Sequence, residues 1–482
     1  MKEKFYITTT IPYANAPPHI GHALEFVQAD VLARWNSIKE KNVFFLTGTD
    51  EHGTKNYQTA KKAGKNPQNF VDENSEKFKE ILKLLNCSNN SFIRTTDKEK
   101  HLPGVLKMWE LLEKSKDLYK KKYEGDYCPG CERFVTAKDL VNGKCPDHPK
   151  LKIEKISEEN YFFRLSKYSD KIKKLVESDE IEIIPKKWKN NFLGLISGGL
   201  TDVSFSRDKS HLPWGIPVPG DESQVMYVWC DALTNYLTGI GFPDEKYKKF
   251  WPADVHLVGK DMLRFHTGIW PGMLLSAKLP LPKKVVVHGF LTINGEKMSK
   301  STGNVIDPKQ FVKELGSDAL RYFFCRNFSF GDDGDISREA IKRRYNDELA
   351  NKFGNLISRT SSLAEKYGIE ETKNFLKLDI KSISKFIDNF ELDKALNKIF
   401  EFLDNCNEYI QEKKPWETKD KKVLYELVNA IKTATILLNP FIPTATEKIA
   451  KHFGFKLVIE ELKKPIKNLK IKKASIFFGK TE

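Results

Sequence analysis

The chain has 482 residues, 40% of them apolar, a formal charge of +15 and 7 cysteines; that apolar mass is enough to fold, and the length exceeds the about 250–300 residues of one ordinary core, so about three domains are expected. No apolar run reaches the about 20 residues of a membrane helix, and the opening MKEKFYITTTIPY lacks the apolar core of a secretory signal, which excludes membrane insertion and export and leads to an expected cytoplasmic location. The basic excess suits a polyanionic partner as readily as a solvated lysine surface, and the odd cysteine count, with Cys128, Cys131 and Cys145 close together, suits a reducing compartment and a metal better than disulfides.

In chain order, residues 5–9 (FYITT) predict a buried strand, followed by a loop with Pro12, Pro17 and Pro18. From Pro18 to about Lys39, Ala23, Phe26, Val27, Val31 and Trp35 recur at helical spacing. Pro18 is expected near the first helical position, where a missing N–H costs nothing. VFFLTGTD (43–50) predicts a second strand. Strand, helix, strand in that order implies a parallel sheet with its ligand at the C-terminal strand ends. From about Tyr123 to Ser206 the chain changes to short Cys-, Gly- and Lys-rich segments, the mark of an insertion; VMYVWC (225–230), VHLVGKD (255–261) and VVVHGF (285–290) then resume the strand-like pattern. One domain is therefore split by another. Past about Asp335 the pattern is helical nearly to the end. Ile383, Phe386, Ile387 and Phe390, then Leu396, Ile399, Phe400 and Leu403, then Val423, Leu424, Leu427, Val428 and Ile431 keep a helical period, the stripe of a helix-bundle core.

Pro18-His19-Ile20-Gly21-His22 stands where strand gives way to helix. Both imidazoles then share the first helical turn, where free N–H groups and the positive dipole end attract phosphate, and Gly21 leaves room for a nucleotide against the backbone. Far along the chain comes Lys297-Met298-Ser299-Lys300-Ser301, followed by Thr302-Gly303-Asn304; two lysines with hydroxyls between them suit a triphosphate tail. A lone His or a lone KxxK loop is ordinary core or surface, but the histidine pair at a helix start favours a site that stabilises charge developing on phosphorus, and the lysine loop becomes specific when paired with it. Cys128-Pro-Gly-Cys131 and Cys145-Pro-Asp-His148 are CxxC and CxxH knuckles. They offer three thiolates and an imidazole, a closed tetrahedral set for a structural Zn2+; free thiols or a disulfide across one knuckle are the alternatives.

Literal HIGH at 19–22 and literal KMSKS at 297–301 resemble the two signatures of class I aminoacyl-tRNA synthetases. IPYAN (11–15), GTDEHG (48–53), YVWCDAL (227–233), GKD (259–261) and FH (265–266) make the chain similar, end to end, to the methionyl-tRNA synthetase family. The resemblance implies an α/β fold: a doubly wound, Rossmann-like parallel-sheet catalytic domain (1–118 and 223–275) split by a zinc-bearing insertion (119–222), a connecting segment with the KMSKS loop (276–335), and an α-helical bundle that binds the anticodon (336–482). It also implies activation of L-methionine by Mg2+-ATP to methionyl-adenylate and transfer to the 3′-terminal adenosine of tRNA(Met), as used in protein synthesis.

Residue by residue, the same resemblance implies catalysis by His19, His22, Lys297 and Lys300, with further ATP contacts from Gly21, Gly259, Asp261 and Ser299. It implies a methionine pocket of Ile11, Tyr13, Asp50, Trp229, Ala232, Leu233, Tyr236, Met262, Phe265 and His266, in which Asp50 receives the ammonium and aromatic edges receive the sulfur. Asn355, Arg359 and Trp416 match anticodon-reading positions, and Cys128, Cys131, Cys145 and His148 match zinc ligands. A monomer without a membrane partner is expected. Among rival readings, the isoleucine, valine and leucine synthetases carry an editing insertion for which this chain has no room, and the cysteine type binds zinc in its active site. A small adenylyltransferase needs neither the KMSKS loop nor a helical tail, and a zinc-bearing RNA-binding scaffold leaves both ATP motifs unexplained.

Overall fold

The computed structural model describes residues 2–130, 133–135, 139–146, 148–293, 295–297, 307–373, 376–466 and 470–480. At its centre lies a parallel sheet of β1 (Lys4–Thr8), β2 (Asn42–Thr49), β3 (Ser91–Arg94), β4 (Glu182–Ile184), β5 (Val255–Gly259) and β6 (Lys284–His288), in the spatial order β3-β2-β1-β5-β6-β4. Alternate residues of a strand face opposite sides. Ile7, Phe45, Val255, Leu257 and Val286 therefore join one apolar core, and Tyr6, Leu46, Val258, Val285 and Val287 join another. The chain steps outward from β1 to β3, returns to β5 beside β1, and steps outward again to β6. The order thus reverses between β1 and β5, and a crevice opens past their C-terminal ends.

The first crossover is α1 (Ile20–Ile38), which begins later than the proline suggested. His19 is its cap, in an extended conformation with φ −118° and ψ 175°, and Pro18 lies before the cap. The reason is local: the imidazoles of His19 and His22 accept from the backbone N–H groups of Gly21 and His19. Side chains thereby satisfy helix-mouth amides, a task a proline at the first position leaves undone.

Two strand expectations also change. Within residues 225–230 only Val225 and Met226 belong to a strand (Asp221–Met226), while Val228–Leu233 is helical and buried throughout. An apolar run without a period cannot distinguish a buried helical turn from a strand. The edge strand β4 comes from inside the span expected to be insertion; its 3 residues are too few for a period to show. The remainder of that span is built on an antiparallel pair, Leu118–Cys128 with Glu154–Phe163, edged by Arg133–Val135 and Val203–Ser204.

The C-terminal bundle comprises helices Arg338–Arg344, Asn355–Tyr367, Ile380–Asp388, Leu392–Lys413, Lys421–Leu438 and Pro443–Phe453, with π-helical Tyr345–Gly354 joining the first two. Helix does not continue nearly to the end. Beyond Lys463 the described residues form neither helix nor strand, yet Ile466, Ile471, Ala474 and Phe478 are buried against the bundle. Pro465 and widely spaced apolar residues favour this irregular course over a helix.

Sheet and bundle are fastened through α1. Asp30 meets Arg321 at 2.7 Å and Arg34 at 2.8 Å, and neither Asp30 nor Arg321 exposes its side chain. Arg321 also donates to the carbonyls of Leu85, Pro440 and Phe441. Burial opposes ionisation of Asp30, but the two guanidiniums outweigh it and hold the carboxyl below the usual range. Removing one partner of such a pair leaves a buried charge uncompensated, so Asp30→Ala is expected to destabilise the protein by about 3–5 kcal/mol in urea unfolding. A loss below about 1 kcal/mol would show that Arg321 is satisfied by carbonyls alone.

Candidate active site

The histidine motif stands over the crevice. His19 Nδ1 accepts from Gly21 N–H at 3.1 Å and His22 Nδ1 from His19 N–H at 3.1 Å. In the neutral rings the proton therefore sits on Nε2 of both. The rings stack, centroids 3.8 Å apart, and His22 meets the edge of Phe78 at 5.3 Å. The glycine between them also gives room to the first ring: the nearest atoms to a Cβ at Gly21 belong to the His19 ring, at 3.0 and 3.1 Å. One turn on, Glu25 Oε1 accepts from the backbone and hydroxyl of Thr10, both at 2.6 Å, and Oε2 faces His288 Nε2 at 3.2 Å. Burial works against charging His288, but the Glu25 carboxylate outweighs it and raises the imidazole above its ordinary value.

Across the crevice, β5 ends on Gly259-Lys260-Asp261. Asp261 is exposed and its Oδ1 lies over the backbone, 2.7 Å from where a Cβ on Gly259 would stand. The Lys260 ammonium is engaged elsewhere, with Asp333 at 2.6 and 2.8 Å and over the Phe290 ring at 4.5 Å. Beyond β6, Leu291–Ile293 pairs with Glu296–Lys297 about a turn at Gly295, where φ is 76°. Asp335 accepts from Gly295 N–H at 2.9 Å and from the Thr292 hydroxyl at 2.8 Å, closing that turn. Lys297 is placed by its backbone alone; Ser299, Lys300 and the rest of 298–306 lie outside the described residues. Asp307, Pro308 and Lys309, just after them, line a cavity of about 320 Å³ together with Pro17 and Pro18, just before His19.

The second core, on the other face of the sheet, holds an aromatic cluster. Trp229 and Phe265 stack with centroids 3.7 Å apart and planes 13° from parallel. Tyr236 Oη is 2.6 Å from His266 Nε2, and His266 Nδ1 is 2.9 Å from the Met262 carbonyl. Only a donor can face that carbonyl, so Nδ1 carries the proton and Nε2 accepts from Tyr236. Burial lowers the His266 pKa to about 4, which keeps the ring neutral, and burial raises the Tyr236 hydroxyl well above its ordinary value. Ala232 and Leu233 are buried in the same core, with Ile11, Tyr13, Met262 and Phe265 packed half-buried against it. Asp50 is buried at the end of β2, and its backbone pairs with the Ile11–Tyr13 segment through Asp50 N–H to Pro12 O and Ala14 N–H to Asp50 O, both 2.9 Å. Phe265–Ile269 is π-helical, a local widening that recurs at functional sites.

Several buried residues of this region were given no role by the sequence, although Glu51, His52 and Asp231 lie in segments that carry the resemblance. His256 stands 2.7 Å from the Thr8 hydroxyl and accepts from Trp270 Nε1–H at 3.2 Å. Glu51 receives Arg94 in a two-pronged bond of 2.7 and 2.8 Å. His52, His101 and Asp231 form a third cluster. A single His or Glu in a loop is uninformative until its partner, far away in the chain, is known.

Cys128 and Cys145 are buried, His148 is half-buried, and their ligand atoms lie within 4.8 Å of one another. Cys145 Sγ and His148 Nδ1 are 3.9 Å apart, and Gly130 makes room for the His148 ring, whose Cγ is 2.3 Å from where a Cβ would stand. Bonds of about 2.0–2.3 Å to one tetrahedral ion would set ligands about 3.5 Å apart, so this soft donor set fits Zn2+. Cys131 lies outside the described residues, and among those described no cysteine is in a disulfide.

In the bundle the Arg359 guanidinium lies 5.4 Å over the half-buried Trp416 ring, and Asn355 is exposed one turn away on the same helix. Arg359 also lines a cavity of about 660 Å³ with Asn351, Asn407 and Gln411. Trp416 sits on the single turn Pro415–Thr418, flanked by Lys414 and Lys419 with left-handed φ of 44° and 56°.

A family model described as tRNA synthetases class I (M) matches residues 5–154 and 150–361, and one described as anticodon-binding domain of tRNA ligase matches residues 374–477. The methionine–tRNA ligase of Caldanaerobacter subterraneus subsp. tengcongensis is 44% identical over 478 residues, covering 94% of this chain and 74% of that protein. That of Brucella suis biovar 1 is 40% identical over 472 residues, covering 93% and 91%. Among solved structures, Mycobacterium tuberculosis methionyl-tRNA synthetase in complex with methionyl-adenylate is similar with a TM-score of 0.94 at 35% identity over 99% of both chains. The apo form of that protein scores 0.87 at 31% identity, covering 100% of this chain and 99% of that one.

The depressed His266 has a measurable consequence. Its ordinary pKa is 6.5 and its folded value about 4, so between those values the unfolded chain binds a proton that the folded chain does not. Stability from this group is complete above 6.5 and falls as pH drops towards 4, by about 1.4 kcal/mol per unit. His266→Gln should therefore lose about 2 kcal/mol less than wild type between pH 7 and pH 5 in urea unfolding. Equal losses would mean that His266 is not held neutral.

Proposed function

The chain belongs to the methionine-type class I tRNA synthetases, and we propose that the residues gathered where β1 and β5 end carry that family's chemistry here. The chain is an ATP-dependent methionine–tRNA ligase used in protein synthesis. In the first step the methionine carboxylate oxygen bonds to the α-phosphorus of ATP and the bond to the leaving pyrophosphate breaks. In the second, a hydroxyl of the terminal adenosine of tRNA attacks the carbonyl, loses its proton, and AMP departs.

One observation supports this reading above the rest. The imidazoles at the mouth of α1 and the Gly259–Asp261 turn follow the two strands between which the order reverses, and the aromatic cluster belongs to the core on one face of that sheet. Trp229, Phe265, Leu233, Ala232, Ile11, Tyr13 and Met262 would surround the thioether, with Tyr236 and the neutral His266 closing its far end. Apolar walls with aromatic edges suit sulfur. Asp50 would receive the ammonium by a charge-assisted bond. His19 and His22, whose Nε2 atoms bear protons, would donate to charge developing on the phosphate, with Lys297 and Lys300 supplying cations. Gly21, Gly259, Asp261 and Ser299 would complete the nucleotide contacts, and Mg2+ would accompany ATP. None of these groups forms a covalent intermediate, so the acceleration comes from placement and charge.

In the bundle, Trp416 would stack an unpaired anticodon base, with Asn355 and Arg359 reading base edges. Cys128, Cys131, Cys145 and His148 would hold a structural Zn2+ that braces the insertion; with no open position it supplies no chemistry.

Methionine-dependent exchange of pyrophosphate into ATP tests the central reading: methionine alone among the twenty amino acids should support it, and exchange driven by another amino acid would replace the reading. Trp416→Ala should abolish tRNA charging while leaving that exchange intact, and loss of both would point to misfolding. Cys145→Ser should lower bound zinc below one per chain when metal is quantified, and undiminished stoichiometry would remove Cys145 from the ligand set.

A further inference from the structure

One run of buried polar contacts touches three walls of the pocket yet performs none of the steps above. His52 Nδ1 stands 2.7 Å from Asp231 Oδ2, His101 Nε2 stands 2.7 Å from Asp231 Oδ1, and His101 Nδ1 stands 2.7 Å from Thr238 Oγ1. All four residues are buried. Burial opposes ionisation of Asp231, but the two imidazoles outweigh it and hold its carboxyl below the usual range. Asp231 is therefore the acceptor of both contacts and each histidine the donor, and in the neutral ring His101 Nδ1 accepts the Thr238 hydroxyl proton.

The placement of the members matters more than their chemistry. His52 follows Asp50 by two residues, Asp231 follows Trp229 by two, and Thr238 follows Tyr236 by two. The ammonium-receiving carboxylate and two aromatic walls thus sit on backbone that this network ties together, although no pocket side chain belongs to it. His101 brings in a fourth element as the cap of helix Leu102–Lys114. That helix approaches so closely that a Cβ on Gly104 would stand 2.3 Å from Thr238 Cγ2. On the other side Trp214 Nε1–H donates to the Glu51 carbonyl at 2.7 Å, and its ring lies 5.5 Å from that of His52.

We propose that the network of His52, Asp231, His101 and Thr238 positions the pocket: it sets the spacing between Asp50 and the aromatic walls, so that Asp231 governs methionine affinity and not ATP affinity or the chemical step. The proposal rests on the reading of this pocket as the methionine site. A ligand gripped at its ammonium and at its side chain together is sensitive to that spacing, and weakening its charge-assisted bond costs about 10- to 100-fold in affinity.

The test uses the full-length enzyme in pyrophosphate exchange. Asp231→Asn keeps the volume but can accept from one imidazole only. Its methionine KM should rise about 10- to 100-fold while its ATP KM and its kcat at saturating methionine stay within about threefold of wild type. His101→Gln, whose Nε2 still donates towards Asp231, should keep methionine KM within about threefold, whereas His101→Leu, lacking a donor, should reproduce the Asp231→Asn rise. Should Asp231→Asn fail to fold, the two His101 variants decide. A methionine KM within about twofold of wild type in Asp231→Asn or His101→Leu overturns the proposal, as does an equal rise in both KM values, which marks general loosening. A wild type with no methionine-dependent exchange would overturn the reading of the pocket instead.

Discussion

Asp30 and Arg321 meet at 2.7 Å with neither side chain reaching solvent, and Arg321 spends its remaining donors on carbonyls at Leu85, Pro440 and Phe441. A buried guanidinium tolerates few other arrangements, because sliding α1 by a turn would leave both charges uncompensated. The register of α1 is thereby set from its middle. Its mouth then falls at the crevice with His19 and His22, and its far end falls on the bundle, where Trp35 Nε1–H donates to Asp388 at 2.9 Å. One apolar core runs without interruption from α1 through Tyr322 and Phe323 to Leu396 and Leu424. Helix α1 and the bundle are consequently parts of one packed body.

The sheet divides the labour between its faces. One face packs on that shared core, and the other packs on the core that holds Trp229, Tyr236 and Leu233. The crevice between β1 and β5 is where the two environments meet, with imidazoles and exposed Asp261 on its rim and aromatic rings behind. The hairpin that begins the lysine motif is anchored on the same rim: Asp333 binds Lys260 and Asp335 closes the turn at Gly295. Its direction is set by carboxylates of the segment leading into the bundle.

Charge is distributed by the same logic. Deep in the aromatic core, burial lowers the pKa of both His256 and His266, which keeps these rings uncharged. At the margin, burial opposes ionisation of Asp231 but two imidazoles hold its carboxyl below the usual range, and Glu51 is paired with Arg94. The buried acids thus hold the backbone around the pocket, and the uncharged rings shape its interior.

The chain by itself determined whatever depends on neighbours within a turn or two. The helix of the histidine motif, the stripes of the bundle helices and the knuckles around Cys128 and Cys145 follow from periodicity and spacing, which a covalent chain carries with it. Pocket residues were legible only through resemblance, because an isolated Trp or Tyr in a strand-like run looks like any core residue. Only the tertiary structure decided that Pro18 precedes the helix cap, that Val228–Leu233 coils as a helix, that Glu182–Ile184 completes the main sheet, and that the described residues after Lys463 pack on the bundle without forming helix or strand. It alone joined Asp231 to His52 and His101, partners 179 and 130 residues away in sequence. Such pairings depend on which buried faces come together, and no local pattern of residues encodes that meeting.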